Sequence, residues 1–313
     1  MKMALTIVAD IGGTNSRLAQ YANRDLEAVR IWPSSEFKSF EALLKTYLRE
    51  RGLDSNKVNC LSIGVAGTVE DGVARGVNLP WTIDAKALKE EMGARVYLLN
   101  DFEAAAWGVT ALKKEELFEL GGVRPREGTR CVLGAGTGLG EAIIVSCETK
   151  GFHILPTEGG HTDFAPMDED EWGLYRFLQK RFGHVSVERV VSGPGIQHMY
   201  EYFKGEVITP KEVVERALVK GEDAALKCMR LFIRAYAREA ADLALKTLAF
   251  GGVYIAGGIA PKIKEAFLVL GFRGFFEDKG RMKKVLKEIP VFICLHPYLG
   301  LLGAGIRSDR GPM

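Results

Sequence analysis

The sequence predicts an α/β protein of two domains built on a duplicated plan, with a cleft between them. Three observations carry that expectation. The 313 residues suffice for two domains of ordinary size. Strand and helix signals alternate through the first third of the chain, as layered α/β folds require. A strand, a glycine turn and a second strand at Ile7–Tyr21 recur at Val132–Val145. No Ser/Pro-rich linker parts the halves, so the junction is expected to be structured and is placed near Leu112. The expected domains are residues 1–112, joined by the tail 299–313, and residues 113–298.

The elements follow in order. Ala4–Ala9 is a short apolar run leading straight into glycines, which reads as a buried first strand and not as a signal peptide. Ser16–Ala22 and Ala28–Trp32 are two further strands. Phe40, Leu43, Leu44, Tyr47 and Leu48 recur at helical spacing, and Gly52 stops that helix. Val58–Val65 reads as a strand, Asp84–Met92 as a helix, Arg95–Leu99 as a buried strand and Phe102–Leu112 as a helix. In the second half, Cys131–Ala135 and Glu141–Cys147 are strands joined by glycines, and beyond Pro166 the chain turns mostly helical. A long helix is expected over Asp223–Ala249, a strand over Val253–Ala256, a helix from about Pro261, and a small-residue tail over Leu299–Ile306.

Composition narrows the function. Acids and bases are interspersed at a formal net charge of +2, and no Lys/Arg run marks a surface for nucleic acid or anionic membrane. No run of about 18 apolar residues escapes a charge or a glycine pair, so no bilayer span is expected. The five cysteines, Cys60, Cys131, Cys147, Cys228 and Cys294, never fall in CxxC spacing, and the histidines form no HxxxH pair. Zinc and a disulfide framework are therefore not expected, and the thiols fit small apolar fillers in a reducing cytoplasm.

Five segments can carry chemistry. In Asp10-Ile11-Gly12-Gly13-Thr14-Asn15 the glycines let backbone N–H groups converge on an anion, and Thr14 and Asn15 add side-chain donors. Asp10 at the strand end could hold Mg²⁺, directly or through water; a hairpin turn capped by Asp is the plainer alternative. Gly134-Ala-Gly136-Thr137-Gly138-Leu-Gly140 is followed by a strand, not a helix, which disfavours a dinucleotide site, and the absence of GKS or GKT excludes a Walker loop. A glycine hairpin over phosphates fits. At Ala256-Gly257-Gly258 a buried strand meets a helix, an ordinary junction or a close approach to a flat nucleoside. Asn100-Asp101 puts a carboxylate at a strand end, where Asp is also a routine helix cap. Glu158-Gly-Gly-His161 and Glu188 gather acids and an imidazole among glycines, which suits a ligand with many hydroxyls.

In this order and spacing, DIGGTNSRLA, NDFEA, GAGTGLG, EGGHTDFAP, HVSVERVVSGPG, FGGVYIAGGIAP, GFRGFFEDKGR and the GLLGAG tail resemble the bacterial-type glucokinase family of the sugar kinase, actin and Hsp70 ATPase superfamily. The likeness runs nearly end to end. It implies a duplicated ribonuclease-H-like architecture that closes on glucose, with ATP phosphates against the two glycine turns and adenosine near Gly257–Gly258. It also implies that Asn100, Asp101, Glu158, His161 and Glu188 hold the sugar, with Asp101 as general base at the 6-hydroxyl. The related zinc-carrying family has clustered cysteines after its EGGH-like stretch, and Thr162–Leu174 contains none. Gly67-Thr68-Val69 departs from the pattern in a loop that often touches the sugar, so its role stays open. The expected ligands are glucose, ATP and Mg²⁺, and the expected state is a cytoplasmic homodimer. The rival from another class is a nucleotide-gated regulator, for which a substrate-binding domain or a helix-turn-helix would be needed.

Overall fold

Residues 5–76, 81–147 and 151–311 are described by the computed structural model. Ala4, the start of the expected first strand, lies outside the described residues, as do the last two of the tail 299–313. The chain opens with β1 (Leu5–Ile11), β2 (Asn15–Ala22) and β3 (Asp25–Pro33), an antiparallel meander. Helix α1 (Phe40–Glu50) starts where the Ser39 hydroxyl accepts the Ala42 N–H. It buries Phe40, Leu43, Leu44, Tyr47 and Leu48, the stripe that the spacing predicts, and Gly52 follows at φ 62°. Along β1 the side chains alternate, so Ile7, Ala9 and Ile11 join the α1 core while Asp10 points to the other face.

β4 (Val58–Val65) then pairs parallel with β1. Three short strands, β5 (Gly67–Glu70), β6 (Val73–Gly76) and β7 (Thr82–Asp84), form a small sheet of their own. The sequence reading missed this sheet because strands this short carry too few alternations to show a period. Asp84 caps α2 (Ala85–Met92) and does not belong to it. β8 (Arg95–Asn100) pairs parallel with β4 and completes a five-stranded sheet in the order β3-β2-β1-β4-β8. Helix α3 (Asp101–Val109) ends three residues before the expected Leu112.

A second sheet of six strands follows. β9 (Leu117–Glu119) lies at one edge; β10 (Arg130–Ala135), β11 (Leu139–Cys147) and β12 (Gly151–Thr157) form another antiparallel meander. The segment that follows is helical: α4 (Glu169–Phe182), α5 (Gly193–Lys204), α6 (Pro210–Leu218) and α7 (Asp223–Thr247). β13 (Gly252–Ala256) returns parallel to β10, α8 (Lys264–Val269), α9 (Phe272–Glu277) and α10 (Lys283–Lys287) follow, and β14 (Val291–Cys294) pairs parallel with β13. The order is β12-β11-β10-β13-β14-β9. Pro261 sits in a 3₁₀ turn, Ala260–Ile263, that precedes α8. β9, β12 and β14 escaped the sequence reading. Much of β12 is exposed, and β14 is a four-residue run too short to separate from a buried helical turn. The long helix α7 buries one face against this core, including Phe232, Tyr236 and Ala240.

The last helix, α11 (Leu299–Ser308), belongs again with the first sheet. The chain thus folds as two compact units, Met1–Lys113 with His296–Met313, and Lys114–Leu295. In each, three antiparallel strands are extended by parallel ones. Within the first unit α11 lies tightly along α3, and glycine makes that possible. A Cβ on Gly303 would stand 2.6 Å from Gly108 N and 2.7 Å from the Ala104 carbonyl carbon. No rotamer relieves a clash with backbone. Gly303→Ala should therefore destabilise the fold by about 1–3 kcal/mol, the usual cost of overpacking, and urea unfolding reads it directly; an unchanged midpoint would mean that the two helices part easily.

Candidate active site

The first glycine turn hangs from β1. Gly12 N–H closes it on Asn15 O at 3.1 Å, and the Ser34 hydroxyl donates to Gly12 O at 2.6 Å. Ser34 N–H also donates to Thr14 O, so a buried serine fixes the turn from behind while Gly13 and Thr14 stay exposed. Asp10 precedes the turn. One of its oxygens accepts from Arg17 Nη1 at 2.9 Å, and its carboxyl carbon lies 3.2 Å from where a Cβ on Gly300, in the first turn of α11, would be. Burial raises the Asp10 carboxyl above its usual range and outweighs the Arg17 guanidinium, which lowers it.

Asn100 and Asp101 sit where β8 becomes α3. The helix cap is Asn100, not Asp101, which corrects the alternative weighed for the acid. Asn100 Oδ1 accepts from Phe102 N–H at 2.8 Å and Glu103 N–H at 3.3 Å, and Nδ2 donates to Gly67 O at 3.1 Å. The amide therefore keeps a single N–H for a ligand. Gly67, in the segment whose role was open, serves as an anchor for this cap. Asp101 occupies the first helical position, half-buried, with Oδ1 3.1 Å from Phe102 N. A carboxylate there gains from the positive end of the helix.

The remaining candidates belong to the second unit. Gly136 N–H closes the second turn on Gly138 O at 2.8 Å, and β11 follows it as a strand, the arrangement that distinguishes it from a dinucleotide fold. Gly193 N–H donates to Gly136 O at 2.8 Å, and Leu139 N–H donates to Glu188 Oε2 at 2.9 Å. The structure thus brings Glu188 against the phosphate-type turn. Glu158 precedes the 3₁₀ turn Gly159–His161 and His161 ends it, both exposed, with Glu158 Oε2 and His161 Nε2 3.8 Å apart. Val187 N–H donates to Thr162 O, which ties the Glu188 segment to the end of that loop. Gly160 needs its bare backbone: a Cβ would lie 3.0 Å from the Leu139 carbonyl carbon and closer still to its oxygen.

A cavity of about 920 Å³ opens beside Gly136 and Thr137, within the range of ligand pockets. Gly258 and Ile259 form one wall, as the sequence suggests for this junction, while Gly257 adopts φ 80° beside Ala135 O. Gln197, Pro210, Lys211 and Lys262 also line it, and the sequence reading missed all four. Gln197, Pro210 and Lys211 lie on two helices with no local motif to announce them, while Lys262 sits in the 3₁₀ turn just after the glycine pair. Glu141 was missed as a site residue too. An acid inside a buried strand was the available signal. Burial first, and the neighbouring acid Glu239 next, push its carboxyl up to about 8.

The sequence profile of the glucokinase family matches residues 7–310. The chain belongs to that family. It is 41% identical to the glucokinase of Salmonella typhi over 312 residues, 96% of this chain and 95% of that protein. Its fold is similar to that of a glucokinase from an Antarctic psychrotroph, with a TM-score of 0.85 and 27% identity over 99% of this chain and 100% of that one. It shares the fold of a ROK family glucokinase from Streptomyces griseus solved with glucose and AMPPNP, at a TM-score of 0.69 and 20% identity over 98% and 100% of the two chains.

For a glucokinase site, the dual use of Asn100 has a measurable consequence. Asn100→Ala removes the cap and the Gly67 contact together, so stability should fall by about 0.5–2 kcal/mol. Asp101→Ala, which leaves the cap in place, should cost less. Paired thermal or denaturant melts of the two variants check the order; a larger loss at Asp101 would reassign the cap.

Proposed function

We infer that this chain transfers the γ-phosphoryl group of ATP to the 6-hydroxyl of glucose, giving glucose 6-phosphate and ADP, the opening step of glycolysis. The observation that carries this reading is the family match over residues 7–310, which spans every candidate residue. The Streptomyces griseus glucokinase was solved with glucose and AMPPNP, and glucose and ATP are the substrates proposed for this chain. A coupled assay with ATP and a panel of hexoses tests it: turnover should be greatest with glucose, and no turnover of any hexose would refute it.

The two units are the two domains of a duplicated ribonuclease-H-like architecture, a reading supported by the order they share, three antiparallel strands followed by two parallel ones. Phosphoryl transfer requires positioning and charge neutralisation more than covalent chemistry. The N–H groups of Gly13, Thr14, Thr137 and Gly138 are the ones proposed to meet the phosphates, those of Gly12 and Gly136 being used to close the turns. The cavity beside Gly136 takes the nucleoside, with Lys211 and Lys262 offsetting negative charge. Asp10 suits Mg²⁺ through water, since Arg17 occupies one of its oxygens. When bound, the ion neutralises charge on the β- and γ-oxygens.

Asn100, Asp101, Glu158, His161 and Glu188 are the residues proposed to hold glucose. Glu188 offers Oε1, its Oε2 being committed to Leu139. Asp101 takes the proton of the 6-hydroxyl as that oxygen attacks, and exclusion of water protects the phosphoryl group from hydrolysis. Among the described residues no helix is long and apolar enough to cross a membrane, and all five cysteines are free thiols. A cytoplasmic homodimer is the state proposed.

Asp101→Asn keeps the side chain's size but cannot take a proton. Turnover should fall about 10²–10⁴-fold, the usual contribution of such a base, with glucose affinity changed far less. Stability should move by only about 0.3–1 kcal/mol, the worth of one charge at a helix end. Steady-state rates and glucose titration check both, and near-normal turnover in a folded variant would sink the base assignment.

A further inference from the structure

Two buried acids, one of them seated against the loop that carries Glu158, have no place in the chemistry so far. Glu141 lies on β11, opposite Leu133 of β10 and Thr157 of β12, and keeps 2% of its exposure; Glu239, on α7, keeps 6%. Among the described residues no hydrogen-bond donor reaches Glu141 Oε1 or Glu239 Oε1, and both are sealed from solvent. The surrounding charges do not neutralise them. Lys279 Nζ is 2.6 Å from Asp242 Oδ1, Lys246 is exposed near the end of α7, and Asp242 adds a third acid. Cys131 and Tyr236, the other titratable groups within reach of Glu141, are held neutral by burial. Two ionised carboxylates at this depth would repel each other and forgo hydration. The two side chains lie within hydrogen-bonding reach of each other, and a single proton between them removes the repulsion.

Glu141 also touches the loop. Gly159 approaches the Glu141 carboxyl so closely that a Cβ would stand 2.8 Å from its Cδ and nearer still to Oε2. Thr157 Oγ1 donates to Glu141 O and accepts from Gly159 N–H, each at 3.3 Å, so Glu158 is bracketed by two residues seated on Glu141.

We propose that Glu141 and Glu239 share one proton, and that this bridged pair is the support that holds the Thr157–His161 loop, and with it Glu158 and His161, in the geometry that binds the sugar. Glu141 and Glu239 are positioning residues. The proposal rests on the reading of Glu158 and His161 as sugar ligands.

Both carboxyls are raised above the ordinary carboxylate range, by burial first. The stability of the bridged pair is therefore fully present below that range and is lost as pH rises through the raised value. Infrared spectra of the full chain near neutral pH should show a protonated-carboxyl C=O stretch that disappears in Glu141→Gln and in Glu239→Gln. With pH raised from about 6 to about 9, the wild-type KM for glucose should rise about tenfold, and that of Glu141→Gln less than about twofold, because an amide donates at every pH. Should Glu141→Gln fail to fold, Glu239→Gln provides the same comparison. A band that is absent from the wild type, or that persists in both variants, overturns the shared proton. A band that behaves as stated, with an equally steep KM profile in the variants, overturns the support of the loop. Glu158→Gln measured alongside separates the underlying reading: an unchanged KM there refutes the sugar assignment and leaves the proton bridge standing.

Discussion

One charge-assisted hydrogen bond organises the second unit's share of the site: Leu139 N–H to the Glu188 carboxylate, at 2.9 Å. It fastens the strand that leaves the glycine turn to the segment Val187–Gly193. That segment in turn reaches Gly136 O through Gly193 N–H and Thr162 O through Val187 N–H. The Gly136–Gly138 turn, the end of the Glu158–Thr162 loop and Glu188 are therefore one hydrogen-bonded cluster, not three separate surface features. Bonds to a charged acceptor are about twice as strong as neutral ones, so a bond of this kind can hold a turn that has almost no side chains to pack. A Cβ on Gly138 would stand 2.5 Å from Glu188 Oε2, which is why the turn must stay bare where the carboxylate meets it.

The first unit reaches a comparable rigidity by a neutral route. Ser34 holds the turn after β1 through its hydroxyl and its own N–H, and Asn100 spends most of its hydrogen-bonding capacity on capping α3 and anchoring Gly67. The polar groups nearest the proposed chemistry are thus largely occupied in holding backbone. That division of labour suits a reaction in which placement and charge neutralisation matter more than covalent participation. It also leaves Asp101, at the head of a helix whose Ala104, Ala105 and Ala106 are buried, as a carboxylate on a firm support.

Legibility in the sequence followed the range of the interactions. The α1 stripe, the β4 run and the strand after Gly140 were readable because period and neighbouring residues settle them locally. The small sheet β5-β6-β7 and the strands β9, β12 and β14 were not, since each is short or partly exposed and exists through its partner. Asp101 and Asn100 were both visible as candidates, but not which of them caps the helix: the two acceptors differ by one position, and only the dihedral angles of Asn100, −62° and 152°, decide.

The order of motifs along the chain by itself determined the family, the glycine turns and the candidate carboxylates, because each rests on residue identity at short spacing. Tertiary structure alone decided that Glu188 braces a glycine turn, that Lys211 and Lys262 share a cavity wall with Gly258, and that Glu141 meets Glu239. The Glu188 bond spans 49 positions, and Glu141 and Glu239 lie roughly a hundred apart. Local propensity does not register such pairs; they are fixed by the closing of sheets and helices into a core, where an acid that is unremarkable in a strand becomes a buried charge in need of a proton.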